Sequence, residues 1–260
     1  MEARSSALFG AVPVSQSPPP RPRPAWAAPG SGYEVDLRGA AEVGADLKAW
    51  HDLAGRAVEP ALFAHPDVLL PALQHLPDGR QAGLILVWQQ SPRRLVGLLP
   101  VLMPRVPLAP GEVRLWRPAA LPVAPALIDR ERPEAVLGAA LSFCAARGSR
   151  CASLVLAGLP ADGPIAERFA AAAAASRRRL ERLPQGHVLA TAAVPRAETS
   201  LGGSLRTAQA RTPAEVRDAV EAFLALEAAG AKARGDRALI QDPGLASFVR
   251  TMTRQLARRG

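Results

Sequence analysis

The sequence predicts a mixed α and β domain, α/β or α+β, with helices flanking a mixed sheet. Three observations lead there. Amphipathic stretches of helical length alternate with short apolar runs of strand length, and a strand pair comes early in the order. Hydrophobic residues fill 48% of the 260 positions, enough for a substantial core. The 26 prolines repeatedly cut apolar segments, which favours short elements over long helices.

Each element has a local reason. Residues 1–31 read as a disordered tail, because Ser17-Pro18-Pro19-Pro20-Arg21-Pro22-Arg23-Pro24 favours polyproline II. Tyr33 to Leu37 alternates as a strand does. Val43, Leu47, Trp50 and Ala54 have helical spacing over Ala40 to Leu53, and Val68, Leu69, Ala72, Leu73 and Leu76 have it over Asp67 to Leu76. Pro77-Asp78-Gly79 is a turn. Gln81 to Trp88 and Leu95 to Met103 form a hairpin around Ser91-Pro92, and their near-continuous apolar character predicts burial on both faces. Val113 to Trp116 is a further strand, and Leu121 to Ile128 a proline-punctuated loop.

Arg132 to Arg147 is a helix with Val136, Leu137, Ala140, Leu141 and Cys144 on one stripe and Gly148 as its C-cap. Ser153 to Leu156 is a strand. Pro164 to Leu183 is an alanine-rich helix whose last turns carry Arg177, Arg178, Arg179 and Arg182. His187 to Val194 is a strand, and the polar stretch after it a linker. Thr212-Pro213-Ala214-Glu215 starts a helix with a capping box; Val216, Val220, Phe223 and Leu224 form its apolar face and Gly230 its end. Ala238 to Ile240 is a short strand. Asp242-Pro243 starts the last helix, with Leu245, Phe248, Val249, Met252 and Leu256 on one face and Arg250, Arg254 and Arg258 opposite. The organisation read from this is a tail (1–31), a first unit (32–195), a linker (196–212) and the helical opening of a second unit (213–260).

The formal net charge is +9, yet only Lys48 and Lys232 are lysines. An arginine, alanine, proline and glycine excess of this kind reads as the composition of a GC-rich genome before it reads as a polyanion site. The arginine run lacks interleaved aromatics, so no specific nucleic-acid partner is assigned. Cys144 and Cys151 are too few for a disulfide framework or a zinc site, and buried thiols in a cytoplasmic protein are the expectation. No apolar run approaches the ~20 residues that span a bilayer. His51, His65, His75 and His187 show no metal-ligand spacing, and no metal is assigned to them. There is no Walker loop, dinucleotide fingerprint or nucleophile elbow.

One stretch carries a family pattern. Phe223-Leu224-Ala225-Leu226-Glu227-Ala228-Ala229-Gly230, then Lys232, Arg234-Gly235 and Ala238-Leu239, resembles the segment of CelD-like acetyltransferases written FLALEAxGWKGRxGTAL. Phe248-Val249-Arg250, Met252 and Leu256 to Gly260 also resemble that family. So do Trp50, Leu53, Glu59-Pro60, Phe63, Pro66 and the strand Leu95 to Pro100. Ala231 stands where the family has tryptophan.

The resemblance implies two GNAT-like lobes related to FemAB-type transferases, of which 213–260 is the start of the second. It gives the expectation of a chain truncated relative to its relatives. It implies acetyl-CoA as acyl donor, a small-molecule or saccharide acceptor, and a link to exopolysaccharide or cellulose synthesis. A GNAT lobe holds CoA in the splay between two central strands and at the following helix N-terminus. Glu227, Lys232 and Arg234 are the candidate substrate- or cofactor-binding residues, with no catalytic residue assigned. A non-catalytic interaction protein and a nonspecific polyanion binder are the alternatives.

Overall fold

The structure, a computed structural model, describes residues 26–27, 31–104, 111–146, 151–182 and 208–259. In chain order, β1 (Trp26–Ala27) and β2 (Tyr33–Gly39) lead through two 3-10 turns to α1 (Leu47–Ala54) and α2 (Pro66–His75). The hairpin β3 (Gly83–Gln90) and β4 (Arg93–Leu102) follows, then β5 (Gly111–Leu115), β6 (Leu127–Ile128), α3 (Pro133–Ala146), β7 (Cys151–Val155) and α4 (Pro164–Ala175). The last helices are α5 (Pro213–Arg234) and α6 (Pro243–Ala257).

The strands form one mixed sheet in the order β1-β2-β3-β4-β5-β7, with β6 also on β4. All neighbours are antiparallel except β5 and β7, which run parallel with α3 in the connection between them. The hairpin is buried on both faces as its sequence predicts. Ile85, Val87, Val96, Leu99 and Val101 face a core shared with Val136, Leu137 and Ala140 of α3 and Ile165 of α4. Leu84, Leu86, Trp88, Leu95 and Leu98 face a second core with Trp50 and Leu53 of α1, Leu69 and Leu73 of α2, and Phe248 of α6. The sheet is thus sandwiched between helices. A Cβ on Gly97 would lie 2.6 Å from Val136 Cγ1, so this glycine lets α3 press onto the strand.

Five expectations are corrected. Trp26–Ala27 pairs with Val35 and Glu34, so the tail expected through residue 31 contributes a strand; residues 1–25 lie outside the described residues. Leu127–Ile128, expected as loop, is strand β6. The alanine-rich helix stops at Ala175, because Arg177 is left-handed (φ 51°) and Arg178 N–H donates to Ala173 O in a Schellman stop. Its arginines therefore follow the helix instead of riding on it.

The helix starting at Thr212 does not end at Gly230. It runs to Arg234, where Gly235 (φ 74°) closes the same kind of stop, with Asp236 N–H donating to Ala231 O. Gly230 costs the helix about 1 kcal/mol but does not break it. Ala238 to Ile240, expected as a short strand, instead leads into a 3-10 turn over Leu239–Gln241. The strand expected at 187–194, the cap at Gly148 and most of the linker lie outside the described residues.

The two starts predicted from caps are as expected. Thr212 Oγ1 accepts from Glu215 N–H at 3.2 Å while Glu215 returns to Thr212 N–H, and Asp242 Oδ1 accepts from Leu245 N–H at 3.0 Å. The stripe Leu245, Phe248, Val249, Met252 and Leu256 lies against the α1/α2 core, so α6 covers the face opposite α3. A Cβ on Gly244 would lie 2.5 Å from His75 O, which fixes how closely α6 meets the end of α2. Among the described residues no helix is long and apolar enough to cross a membrane.

Candidate functional site

The sheet has one irregular lane. Along β4, Leu102 and Val101 pair with Arg114 and Leu115 of β5, and Trp116 N–H donates to Pro100 O. The partner chain then leaves the sheet and returns as β6, where Leu127 and Ile128 pair with Leu98 and Gly97. β5 and β6 are two halves of one interrupted strand. β7 accompanies only the first half.

The outer edge of the second half is covered by the segment after α1. Val58 N–H donates to Ile128 O at 2.8 Å, Ala57 bridges Asp129, and Arg130 N–H donates to Arg56 O at 3.0 Å. A buried ion pair fixes this cover. Asp129 is 1% exposed; its Oδ2 accepts from Arg56 Nε at 2.9 Å and its Oδ1 from Glu131 N–H at 3.0 Å. Arg56 also donates to Leu95 O. Glu59 comes next and is half-buried. Among the described residues it has no hydrogen-bond or ion-pair partner, and burial raises its carboxyl above the ordinary value.

Beside this lane, at the start of α3, opens a cavity of about 500 Å³ whose lining includes Tyr33, Gln89, Ser91, Arg94, Glu131 and Arg132. Arg94 donates through both terminal nitrogens to Glu131, and this bond holds the Glu131 carboxyl below its ordinary value. Arg132 has no such partner among the described residues. The cavity thus presents one paired and one unpaired guanidinium next to a helix start.

The residues singled out by the family pattern are divided by the structure. Glu227 Oε2 accepts from Leu239 N–H at 2.8 Å, holding the 3-10 turn against α5. Arg234 pairs with its neighbour Asp236 at 2.8 Å on the surface. Lys232 is exposed in the last turn of α5, without a partner among the described residues. Ala231, at the family's tryptophan position, is buried. The three candidates lie in the C-terminal part of α5, and none of them lines the cavity at the start of α3.

A second constellation has no counterpart in the sequence spacing. His51 on α1 and His65 at the N-cap of α2 bring Nδ1 and Nε2 within 3.3 Å. Asp67 lies 3.9 Å from His51 Nε2 and 3.6 Å from His65 Nδ1. Arg259, in the turn after α6, contacts both His51 Nε2 and Asp67 Oδ2. Burial lowers both imidazoles, and the Arg259 charge lowers them further against the opposing effect of Asp67. The only local signal was His65-Pro66-Asp67 as a helix start, since fourteen residues separate His51 from His65.

No family model, curated protein or solved structure matches the chain.

Proposed function

We propose that the protein works in acyl-CoA-dependent acyl transfer, moving an acetyl group from acetyl-CoA to an amine or hydroxyl of a saccharide or its precursor in exopolysaccharide or cellulose synthesis. The observation that carries this is the interrupted lane: antiparallel β2, β3, β4 and β5, a parallel β7 reached through α3, and a second half-strand, β6, that β7 does not accompany. This agrees with a GNAT-like lobe as the family pattern implies it. The cavity with Arg94 and Arg132 lies at the helix start that follows, where amide groups and dipole favour an anion.

Ala57 and Val58 already hydrogen-bond the outer edge of β6, so the position left for an anionic ligand is the cavity at the start of α3. Acyl transfer needs positioning and one proton acceptor: the acceptor nucleophile attacks the thioester carbonyl, its proton goes to a base, and the CoA thiolate leaves. Lys232 is free to meet a CoA phosphate or an acidic sugar, whereas Glu227 is spent on its turn.

The test is calorimetric titration of the whole chain with acetyl-CoA, followed by thiol release in the presence of saccharide acceptors. Saturable binding and acceptor-dependent release are expected. Absence of both overturns the proposal and favours the second reading, a non-catalytic interaction protein. The observation behind that reading is the exposed apolar surface of α5, where Phe223 is 51% and Leu226 74% exposed.

A further inference from the structure

Three elements meet near the C-terminal end of α6: the middle of α1, the start of α2 and, about two hundred residues on, the turn after α6. We propose that His51, His65 and Asp67 form a binding site for a divalent transition metal of the zinc type, and that the Arg259 guanidinium competes with the metal for the same carboxylate.

The donor set fits. Two imidazoles and a carboxylate suit zinc-like ions better than magnesium or calcium, which prefer all-oxygen shells. One ligand atom from each residue lies within 4.8 Å of the others. The 3.3 Å between His51 Nδ1 and His65 Nε2 equals the edge of a tetrahedron with metal–nitrogen bonds of roughly 2.0–2.1 Å. Three protein ligands leave a further position for water or substrate.

The residues are also held in place. His51 sits between the core residues Trp50 and Leu53, and Trp50 Nε1–H donates to Ala64 O at 2.9 Å, tying α1 to the residue before His65. Pro66 fixes the first turn of α2. Asp67 is only 8% exposed, and its buried Oδ2 accepts no hydrogen bond of regular geometry. Among the described residues Arg259 is the arginine that meets its charge. A buried carboxylate without hydrogen bonds is costly unless a cation accompanies it.

Arg259 is half-exposed on a flexible stem and can swing into water when the metal arrives.

The experiment is calorimetric titration of tag-free, chelator-treated full chain with Zn²⁺, with Co²⁺ absorption as a second readout. One equivalent should bind, and Co²⁺ should show the visible bands of a four- or five-coordinate nitrogen/oxygen site. His51→Gln and His65→Asn should each weaken binding at least about 100-fold, with Asn still able to cap α2. Arg259→Ala should tighten it about tenfold by removing a nearby like charge. His75→Ala should leave it unchanged. Thermal melting checks that each variant is folded. Zinc affinity that His51→Gln and His65→Asn leave unaltered overturns the proposal, as does failure of both the parent chain and Arg259→Ala to bind. None of these readouts depends on acyl transfer.

Discussion

The placement of α6 can be tested by making one substitution at two sites. Phe248 on α6 is 4% exposed and packs in the core with Trp50, Leu53, Leu69 and Leu73; Phe223 on α5 is 51% exposed. Truncating a buried phenylalanine costs about 3–5 kcal/mol, from lost transfer energy plus the cavity left behind. An exposed one costs within about 0.5 kcal/mol. With a urea slope of about 3 kcal/mol/M, Phe248→Ala should lower the unfolding midpoint by about 1 M or more. Phe223→Ala should move it by less than about 0.2 M. Urea titrations followed by tryptophan fluorescence and far-UV circular dichroism read both. Trp50 and Trp88 lie in the core that Phe248 joins, so fluorescence reports its loss directly. Equal shifts for the two variants would refute the packing of α6 against α2.

Three further perturbations follow from the geometry. Gly97→Ala should destabilise by about 1–3 kcal/mol in the same assay, because the new methyl group meets Val136 and Val87 where α3 presses on β4. Glu59→Gln should raise the urea midpoint at neutral pH but not near pH 4. Burial raises this carboxyl, so its favourable neutral form is present below the unfolded value and is lost as pH rises through the folded one. Glu221→Gln should do the reverse: Arg250 holds the Glu221 carboxyl below its ordinary value of 4.5, so the pair's contribution is present above 4.5 and fades as pH falls through the lower folded value. The gap between parent and variant should therefore close in acid.

Local chemistry made much of the fold legible. The hairpin stood out because apolar residues fill both of its faces, and α5 and α6 because Thr212 and Asp242 are good caps. The misreadings share a cause: their deciding partner is remote, or two local signals compete. Leu127–Ile128 lies in a proline-rich stretch and becomes a strand only because Leu98 and Gly97 of β4 offer their edge. Gly230 and Gly235 are both plausible helix stops by residue type. The second is used because Asp236 N–H closes the Schellman turn onto the carbonyl of Ala231, which is itself buried. Ala238 to Ile240 has strand composition, but Glu227 Oε2 and Gln241 Oε1 capture the N–H groups of Leu239 and Ala238, which bends the chain into a 3-10 turn. The histidine cluster was invisible for the most basic reason. Ligand spacing reads one element at a time, and His51, His65 and Arg259 come from three.

The chemistry of the described residues concentrates in one connection. Within seventeen positions, from His51 to Asp67, the chain supplies both histidines, the buried aspartate, the cover of β6 and the unpaired Glu59. α1 is short, and Gly55 closes it by donating to His51 O. That early stop sends Arg56 to Asp129 and the next two residues to the edge of β6. The chain must then return to start α2, and His65 is both the return point and the cap. A longer α1 would lose the cover of β6, and a longer connection would lose the His51–His65 contact. The short helix and its tight return are therefore what a mixed sheet needs to bring a covered strand edge, a raised carboxylate and an imidazole pair into one connected region.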